Sequence, residues 1–405
     1  MALNTALSGI NAAQSDLNVI ANNIANANTT GFKGSRAEFA DVFAVTGLNL
    51  NSTAVGSGAR LQDVAQQFAQ GDIETTNNSM DLAISGNGFF VINSGQGPVY
   101  TRAGAFLPDP NGYVVNNSGA KLQVYPSNGA GGFDTSTLSD LKLVTAQSSA
   151  KATSLVTMSS NLPANAPVPT LPFSASDSTT YNAATPVTVY DSQGGAHQGT
   201  VYYTKTGTNT WNADLQVDGT DAGTQALTFA TNGKLTTPAD GKLAFGAVPL
   251  TNGADPLTLT VNIANTTQFG TEYSPGAIAQ DGYEAGTLSN IDIDSKGVVT
   301  ANYSNNQSSQ IGQLAIANFS NLQGLRQLGN TNWASSSDSG APVMGTAGTG
   351  QFGTIQSGAL ETSNTSDTTA QLVNMIKAQR NYQANAQVLS TDNTLATTLF
   401  NAVSR

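Results

Sequence analysis

The sequence predicts a multidomain α+β chain: N- and C-terminal helices form a coiled-coil domain, and the middle folds as two mainly-β domains, the outer one inserted in the inner one. Three observations carry that expectation. Apolar residues recur every seven positions at both ends of the chain; the stretch between them reads as short strands rich in Gly, Ser, Thr and Asn; and a proline-rich break interrupts a strand pattern that resumes after Gly282. At 405 residues the chain exceeds what one hydrophobic core usually organises, so several domains are expected.

At the front, Leu3, Ile10, Leu17 and Ile24 form one heptad line, and Ala6, Ala13, Ile20 and Ala27 form a second, as at the a and d positions of a coiled coil. The spacing predicts a helix over 3–27, roughly 37 Å long at about 1.5 Å per residue. Thr29-Thr30-Gly31 ends it, with Gly31 suited to a left-handed C′ position. Asn4, Asn11, Asn18, Asn22, Asn23 and Asn26 weaken the helix, because their side chains compete for backbone hydrogen bonds, so it must draw its stability from packing. Residues 31–70 read as an extended connector, marked by Phe39, Val42 and Phe43 and by the Gly/Ser/Asn run 47–58.

From Gly71 the chain turns to alternating strands, Met80–Ile84, Phe89–Ile92, Val99–Thr101 and Tyr113–Val115, with Asn87-Gly88 and Asn111-Gly112 as tight-turn dipeptides. Residues 146–173, with Pro163, Pro167, Pro169 and Pro172, have the composition of a linker or domain edge. Beyond them, Val187–Tyr190, Thr200–Thr204 and Leu257–Val261, with Trp211, Phe229 and Phe245, supply a second core for a barrel or sandwich. The first pattern returns in Ile291–Asp294, Val298–Asn302 and Leu314–Phe319. At the back, Leu372, Gln379, Ala386 and Phe400 fall on one heptad line and Met375, Tyr382, Leu389, Ala396 and Val403 on the other. The expected domains are therefore 1–30 plus 365–405 (terminal coiled coil), 31–70 (connector), 71–145 plus 283–364 (inner β-domain) and 146–282 (inserted outer β-domain).

Composition removes several function classes. Charged residues are only 10% of the chain, and Lys+Arg 15 against Asp+Glu 26 leaves a net charge of −11, which offers no footprint for nucleic acid. With no cysteine there is no disulfide, thiolate metal site or cysteine nucleophile, as suits export by a route without oxidative folding. The first Lys is Lys33, so no Sec-type signal is visible, and no apolar run reaches the length that crosses a bilayer.

The chemical motifs fail in turn. A catalytic triad would need His197, the single histidine, but Gly194-Gly-Ala-His197 reads as a hairpin turn, and no Gly-x-Ser-x-Gly elbow holds a serine. Asp292-Ile-Asp294-Ser-Lys-Gly297 begins like a calcium loop, yet Lys296 and Tyr303 stand where ligands are required. Gly345–Gly350 and Gly56–Gly58 lack the Gly-Lys-Ser/Thr of a phosphate cradle. No catalytic, metal or cofactor site is expected. The small and polar heptad layers Ala6, Ala13, Ala27, Gln379 and Ala386 instead suit close packing of helices between copies of the chain.

Leu7-Ser-Gly-Ile-Asn-Ala-Ala-Gln14, Leu17-Asn-Val-Ile-Ala-Asn-Asn-Ile-Ala-Asn26 and Thr30-Gly-Phe-Lys33 closely resemble the N-terminal signature of the bacterial flagellar rod and hook family. Ser85-Gly-Asn-Gly-Phe-Phe-Val91 and Leu372-Val-Asn-Met-Ile-Lys-Ala-Gln-Arg-Asn-Tyr-Gln-Ala-Asn385 resemble its other motifs. The resemblance carries over Asn22, Asn23, Asn26, Gly31, Phe32, Lys33, Gly86, Gly88, Phe89, Phe90, Gln379, Arg380, Asn381 and Tyr382. It implies assembly through Leu3, Leu7, Ile10, Leu17, Ile20, Ile24, Leu372, Met375, Ile376, Tyr382 and Leu389. The size and the insertion are similar to the hook branch, which implies a subunit that polymerises into a curved hollow tube, a universal joint and an export channel. Implied partners are other copies of itself, the flagellar rod, hook cap and hook-filament junction proteins, and the type III export apparatus that delivers it outside the cell without signal cleavage. Alternatives are a distal rod or other axial protein, or a secreted β-rich adhesin with helical oligomerisation ends.

Overall fold

The computed structural model describes residues 2–42, 56–129, 131–143 and 148–403. Phe43, most of the Gly/Ser/Asn run and the expected boundary at 145/146 lie outside them. The chain is mainly β, with a long helix near each end, α1 (Ala2–Ala25) and α2 (Thr368–Val403). It divides into two compact units: Met1–Val144 with Asn290–Asn302 and Ser308–Arg405, and Thr145–Ser289 with Tyr303–Gln307.

In the first unit, one sheet draws its strands from two distant stretches of chain. Ser308–Asn318 pairs antiparallel with Lys121–Pro126 (Gly312 opposite Pro126) and with Phe89–Asn93 (Ile316 opposite Phe90). Phe89–Asn93 shows why the apolar run does not alternate with polar residues: both faces are covered. Phe90 and Ile92 join a core with Leu82, Ile84, Phe106, Leu122 and Leu314, while Phe89 and Val91 point to a second core with Tyr100, Phe319 and Trp333. Phe68 closes that second core, edge-on to Trp333 at 5.1 Å and to Phe89 at 6.0 Å.

Residues 31–70 are less extended than their composition suggests. Ser35–Asp41 and Ala59–Gln66 form an antiparallel hairpin. A two-stranded ribbon is marginal alone, and α1 supports this one: the Ala59 amide donates to Ser8 Oγ at 3.2 Å. Its other anchor is a side-chain clamp, in which Gln323 accepts from the Gln66 amide (3.2 Å) and donates to its carbonyl (2.7 Å). Gly31 does adopt a positive φ of 67°, but beyond the end of α1 rather than at its C′ position. There a Cβ would fall 2.5 Å from the Ala103 amide, so glycine is needed for close passage.

In the second unit, Ala183–Tyr190, Ala196–Gly207, Thr210–Val217, Thr220–Phe229 and Leu235–Thr237 make an antiparallel meander. A second sheet forms around Leu155–Pro163, which runs parallel to Thr260–Asn262 and Thr267–Phe269 and antiparallel to Ser274–Gln280. One core, containing Val189, Tyr203, Trp211 and Leu215 from the first sheet and Val156, Met158, Leu162 and Val261 from the second, makes this a sandwich. Leu155–Pro163 corrects the linker expectation for 146–173. Val156, Met158, Ser160 and Leu162 alternate inward, a period masked by the surrounding Ser, Thr and Pro. The Asp292-Ile-Asp294 segment is a hairpin end, where Asp294 Oδ1 accepts from the Lys296 and Val298 amides at 2.9 and 2.8 Å.

Close approach of backbones gives this architecture a sharp test. A Cβ on Gly104 would lie 1.6 Å from the Leu82 carbonyl oxygen, which only a backbone shift relieves. Gly104→Ala should destabilise the first unit by about 3 kcal/mol or more, at the upper end of overpacking effects. Gly270→Ala, at a site with nothing within 4 Å, should stay within about 0.5 kcal/mol. Urea denaturation followed by far-UV circular dichroism measures both.

Candidate assembly surface and its ionic anchor

The two terminal helices pack along each other. A Cβ on Gly9 would meet Asn385 Oδ1 at 2.5 Å, and Thr365 Oγ1, just ahead of α2, donates to the Asn23 carbonyl at 3.0 Å, so the helices run antiparallel. Small residues permit this approach. On α1 the buried line is Ala6, Ala13 and Ile20, continued past the helix end by Ala27; Ile10, Leu17 and Ile24 are half-buried, and Leu3 and Leu7 are exposed.

On α2 the structure shifts one of the two expected lines. Met375 and Leu389 are half-buried as the spacing suggests, and so is Ala386, but Leu372, Gln379, Ala396 and Phe400 are exposed. The companion line toward α1 runs one residue earlier, through half-buried Gln371, buried Ala378, half-buried Asn385 and half-buried Asp392. Polar residues occupy three of these four positions, so an apolar heptad count cannot find them. Ile376 and Tyr382 are exposed too, and Val373, Val388, Leu395 and Leu399 join them, giving α2 a broad uncovered apolar surface.

The helices also differ in length, 24 against 36 residues, or about 18 Å. With Gly9 level with Asn385, Ala2 lies level with Asp392 in an antiparallel pair. The last three turns of α2 therefore overhang, carrying Leu395, Leu399 and Phe400 at 63%, 70% and 74% exposure.

The family-motif residues mostly do a different job: they fasten the helix pair to the sheet. Asn23 is buried and copies a strand, donating to the Ser35 carbonyl at 2.8 Å and accepting from its amide at 2.9 Å. Asn26 Nδ2 donates to the Asn22 carbonyl at 2.9 Å, and Phe32 is buried. Gly88, at φ 126°, leaves room for Ile316, and Phe89 and Phe90 fill the two cores. Gly86 offers its carbonyl to Arg102 at 2.8 Å. Gln379, Arg380 and Asn381 lie exposed on α2.

Lys33 anchors this junction. Its Nζ lies 2.5 Å from Glu361 Oε1 and donates to the Ala69 carbonyl at 2.8 Å. The other carboxylate oxygen holds Arg102 Nη1 at 3.2 Å, and Oε1 also accepts from the Gly71 amide at 3.0 Å. The Arg102 guanidinium lies 5.4 Å from the centre of the Phe89 ring. The side chains of Lys33, Arg102 and Glu361 are 1%, 6% and 0% exposed. Burial pushes both cations below their usual pKa, and the Glu361 carboxylate works against it. Lys33 was marked by its motif, but Arg102 and Glu361 carry no sequence period. The available signal was scarcity: Glu361 is the lone carboxylate between Asp338 and Asp367 in a chain with few charges. Among the described residues there is no cluster able to hold a metal, and no helix is long and apolar enough to cross a membrane.

Family models match four stretches of the chain. Residues 3–33 match the flagella basal body rod protein model, 83–160 the flagellar hook protein FlgE/F/G D1 domain, 161–283 the flagellar basal body protein FlaE D2 domain, and 356–402 the flagellar basal body rod FlgEFG protein C-terminal model. The flagellar hook protein FlgE of Escherichia coli K12 is 41% identical, over 99% of this chain and 100% of its own. That of Salmonella typhimurium LT2 is 39% identical over the same shares, and that of Rhizobium meliloti 34% identical over 98% of each chain. The crystal structure of Helicobacter pylori flagellar hook protein FlgE2 superposes with a TM-score of 0.52 at 14% identity, covering 71% of this chain and 100% of that one, a likeness of fold.

Glu361→Gln leaves two buried cations without a counter-charge and should cost about 3–5 kcal/mol. Adding Lys33→Met should recover part of that loss, because the two changes share one interaction. Thermal unfolding of the single and double variants, followed by circular dichroism, measures the coupling.

Proposed function

The chain belongs to the flagellar hook protein family, and from that premise we propose that its terminal helices, overhang included, build the inner wall of a curved hollow tube by packing against neighbouring copies. It is a structural subunit of the hook and not an enzyme. The observation that carries the proposal is the apolar surface left open on the helix pair: Leu3 and Leu7 on α1, and Leu372, Ile376, Leu395, Leu399 and Phe400 on α2. A single chain gains nothing by exposing so many large apolar side chains. A polymer buries them, at roughly 25 cal/mol for each Å² of apolar surface removed from water.

In this reading, residues 1–30 and 365–405 form the coiled-coil layer around the export channel. Residues 31–70 connect it to the inner β-domain of 71–145 plus 283–364, and 146–282 form the outer, inserted domain. The chain passes unfolded through the type III export apparatus without signal cleavage, folds beneath the cap protein, and joins the rod below and the junction proteins above. As the curved tube rotates, each subunit changes its axial spacing once per turn, so outer contacts must slide. A chain in which only 10% of residues are charged suits that motion, since polar contacts exchange with water at little cost.

Two experiments test the proposal by negative-stain microscopy and sedimentation after salt-induced polymerisation. Deleting residues 1–27 should abolish tubes and remove the helical signal of α1 while the two β-domains, 71–145 plus 283–364 and 146–282, stay folded by near-UV circular dichroism. Leu399→Asp with Phe400→Asp should also abolish tubes with thermal stability unchanged within about 0.5 kcal/mol, because both positions are exposed in the free chain. Tubes from either variant would overturn the assignment.

A further inference from the structure

His197, read from sequence as part of a turn, sits in a charge cluster at one end of the second unit. Nε2 lies 3.0 Å from Asp191 Oδ2, and Nδ1 lies 2.5 Å from Asp218 Oδ2. A neutral imidazole has one N–H and one lone pair, so it would set that lone pair against a carboxylate oxygen. Only the imidazolium donates at both nitrogens. The contacts themselves therefore define a protonation state.

The cluster ties separate parts of the sandwich together. Asp191 follows the strand Ala183–Tyr190, His197 lies in Ala196–Gly207, and Asp218, at φ 49°, turns the chain from Thr210–Val217 into Thr220–Phe229. Asn252 comes from a more distant loop and donates to Asp191 Oδ2 at 2.5 Å. Asp191 Oδ1 also accepts from the Gln193 and Gly195 amides, each at 2.8 Å, and Asp218 Oδ1 accepts from the Gln198 amide at 2.9 Å. The Asp191 side chain is 0% exposed, that of His197 12% and that of Asp218 49%. Among the described residues, His197 is the one cation that either carboxylate pairs with.

We propose that His197, clamped between Asp191 and Asp218, is a proton-controlled latch that fastens the turns at this end of the outer β-unit and releases them as the pH rises. Hydrogen bonding to Asp191, and then to Asp218, raises the His197 pKa above its ordinary value. The sign follows from linkage. A raised folded-state pKa gives stability that is complete below the unfolded value, about 6.5, and lost as the pH climbs through the folded value. Asp218 is lowered chiefly by its bond to His197. Asp191 is lowered because its hydrogen bonds, led by that of His197, outweigh burial; both acids therefore lose their contribution only as the pH falls through the carboxylate range. The latch is closed between these limits.

A single histidine makes the test direct. In the full chain, its ring protons give one NMR titration, expected above about 6.5 and moved down by Asp218→Asn. Trp333→Phe leaves Trp211 as the sole indole, buried in the second unit, so its fluorescence reports urea unfolding there. On that background the folding constant should fall with rising pH by about tenfold for each unit of pKa shift, and His197→Gln should remove the fall. A ring that titrates at or below 6.5, or a His197→Gln variant with the same alkaline fall, would overturn the latch.

Discussion

Glu361 holds the first unit together at the point where both ends of the chain meet the sheet. One fully buried carboxylate serves Lys33 from the exit of α1 and Arg102 from the end of a sheet strand, and it also accepts from the Gly71 amide. Its main-chain carbonyl accepts from Gly31 at 2.8 Å, and its strand, Ala359–Glu361, pairs with Ile73–Thr75. The next residues continue the fastening: Asn364 accepts from the Gly34 amide at 2.8 Å and donates to the Gln67 carbonyl, and Thr365 reaches Asn23. In a low-dielectric site such a network is stiff when complete and costly when one partner is missing. The root of the helix pair is thereby tied to the sheet by several independent contacts.

Elsewhere the acidic side chains are spent on backbone. Asp109, Asp134, Asp177, Asp191, Asp221 and Asp294 each accept from an amide two residues on, closing Asx turns between short strands. That use explains how a chain with 26 acids and 15 bases forms few ion pairs among its described residues and still has order in its loops. Turns fixed by their own side chains need no help from neighbouring molecules.

Regular periods were legible in the sequence, and contacts between distant residues were not. Ala6, Ala13, Ile20 and Ala27 were found because α1 buries a strict heptad of apolar residues, and Phe89–Ile92 because both of its faces are covered. The matching seam of α2 escaped, since Gln371, Asn385 and Asp392 are polar positions half-covered by geometry rather than by hydrophobicity. Leu155–Pro163 escaped for a related reason: its inward residues alternate correctly, but proline and serine around them mimic a linker. Glu361 meets Lys33 across 328 residues and Arg102 across 259, and Asp218 meets His197 across 21. No local window contains both halves of such an interaction.

The separation in sequence across the Glu361 cluster also imposes an order in time. A chain that emerges from its N-terminus presents Lys33 and Arg102 first, and their carboxylate follows 328 and 259 residues later. Until it arrives, closing the sheet over two uncompensated cations is opposed by several kcal/mol. Premature folding of the first unit is thereby penalised until the stretch that carries Glu361 has been made. The last strand before α2 completes the site, so the electrostatics that fasten the finished unit also act as a check that its distant parts are all present.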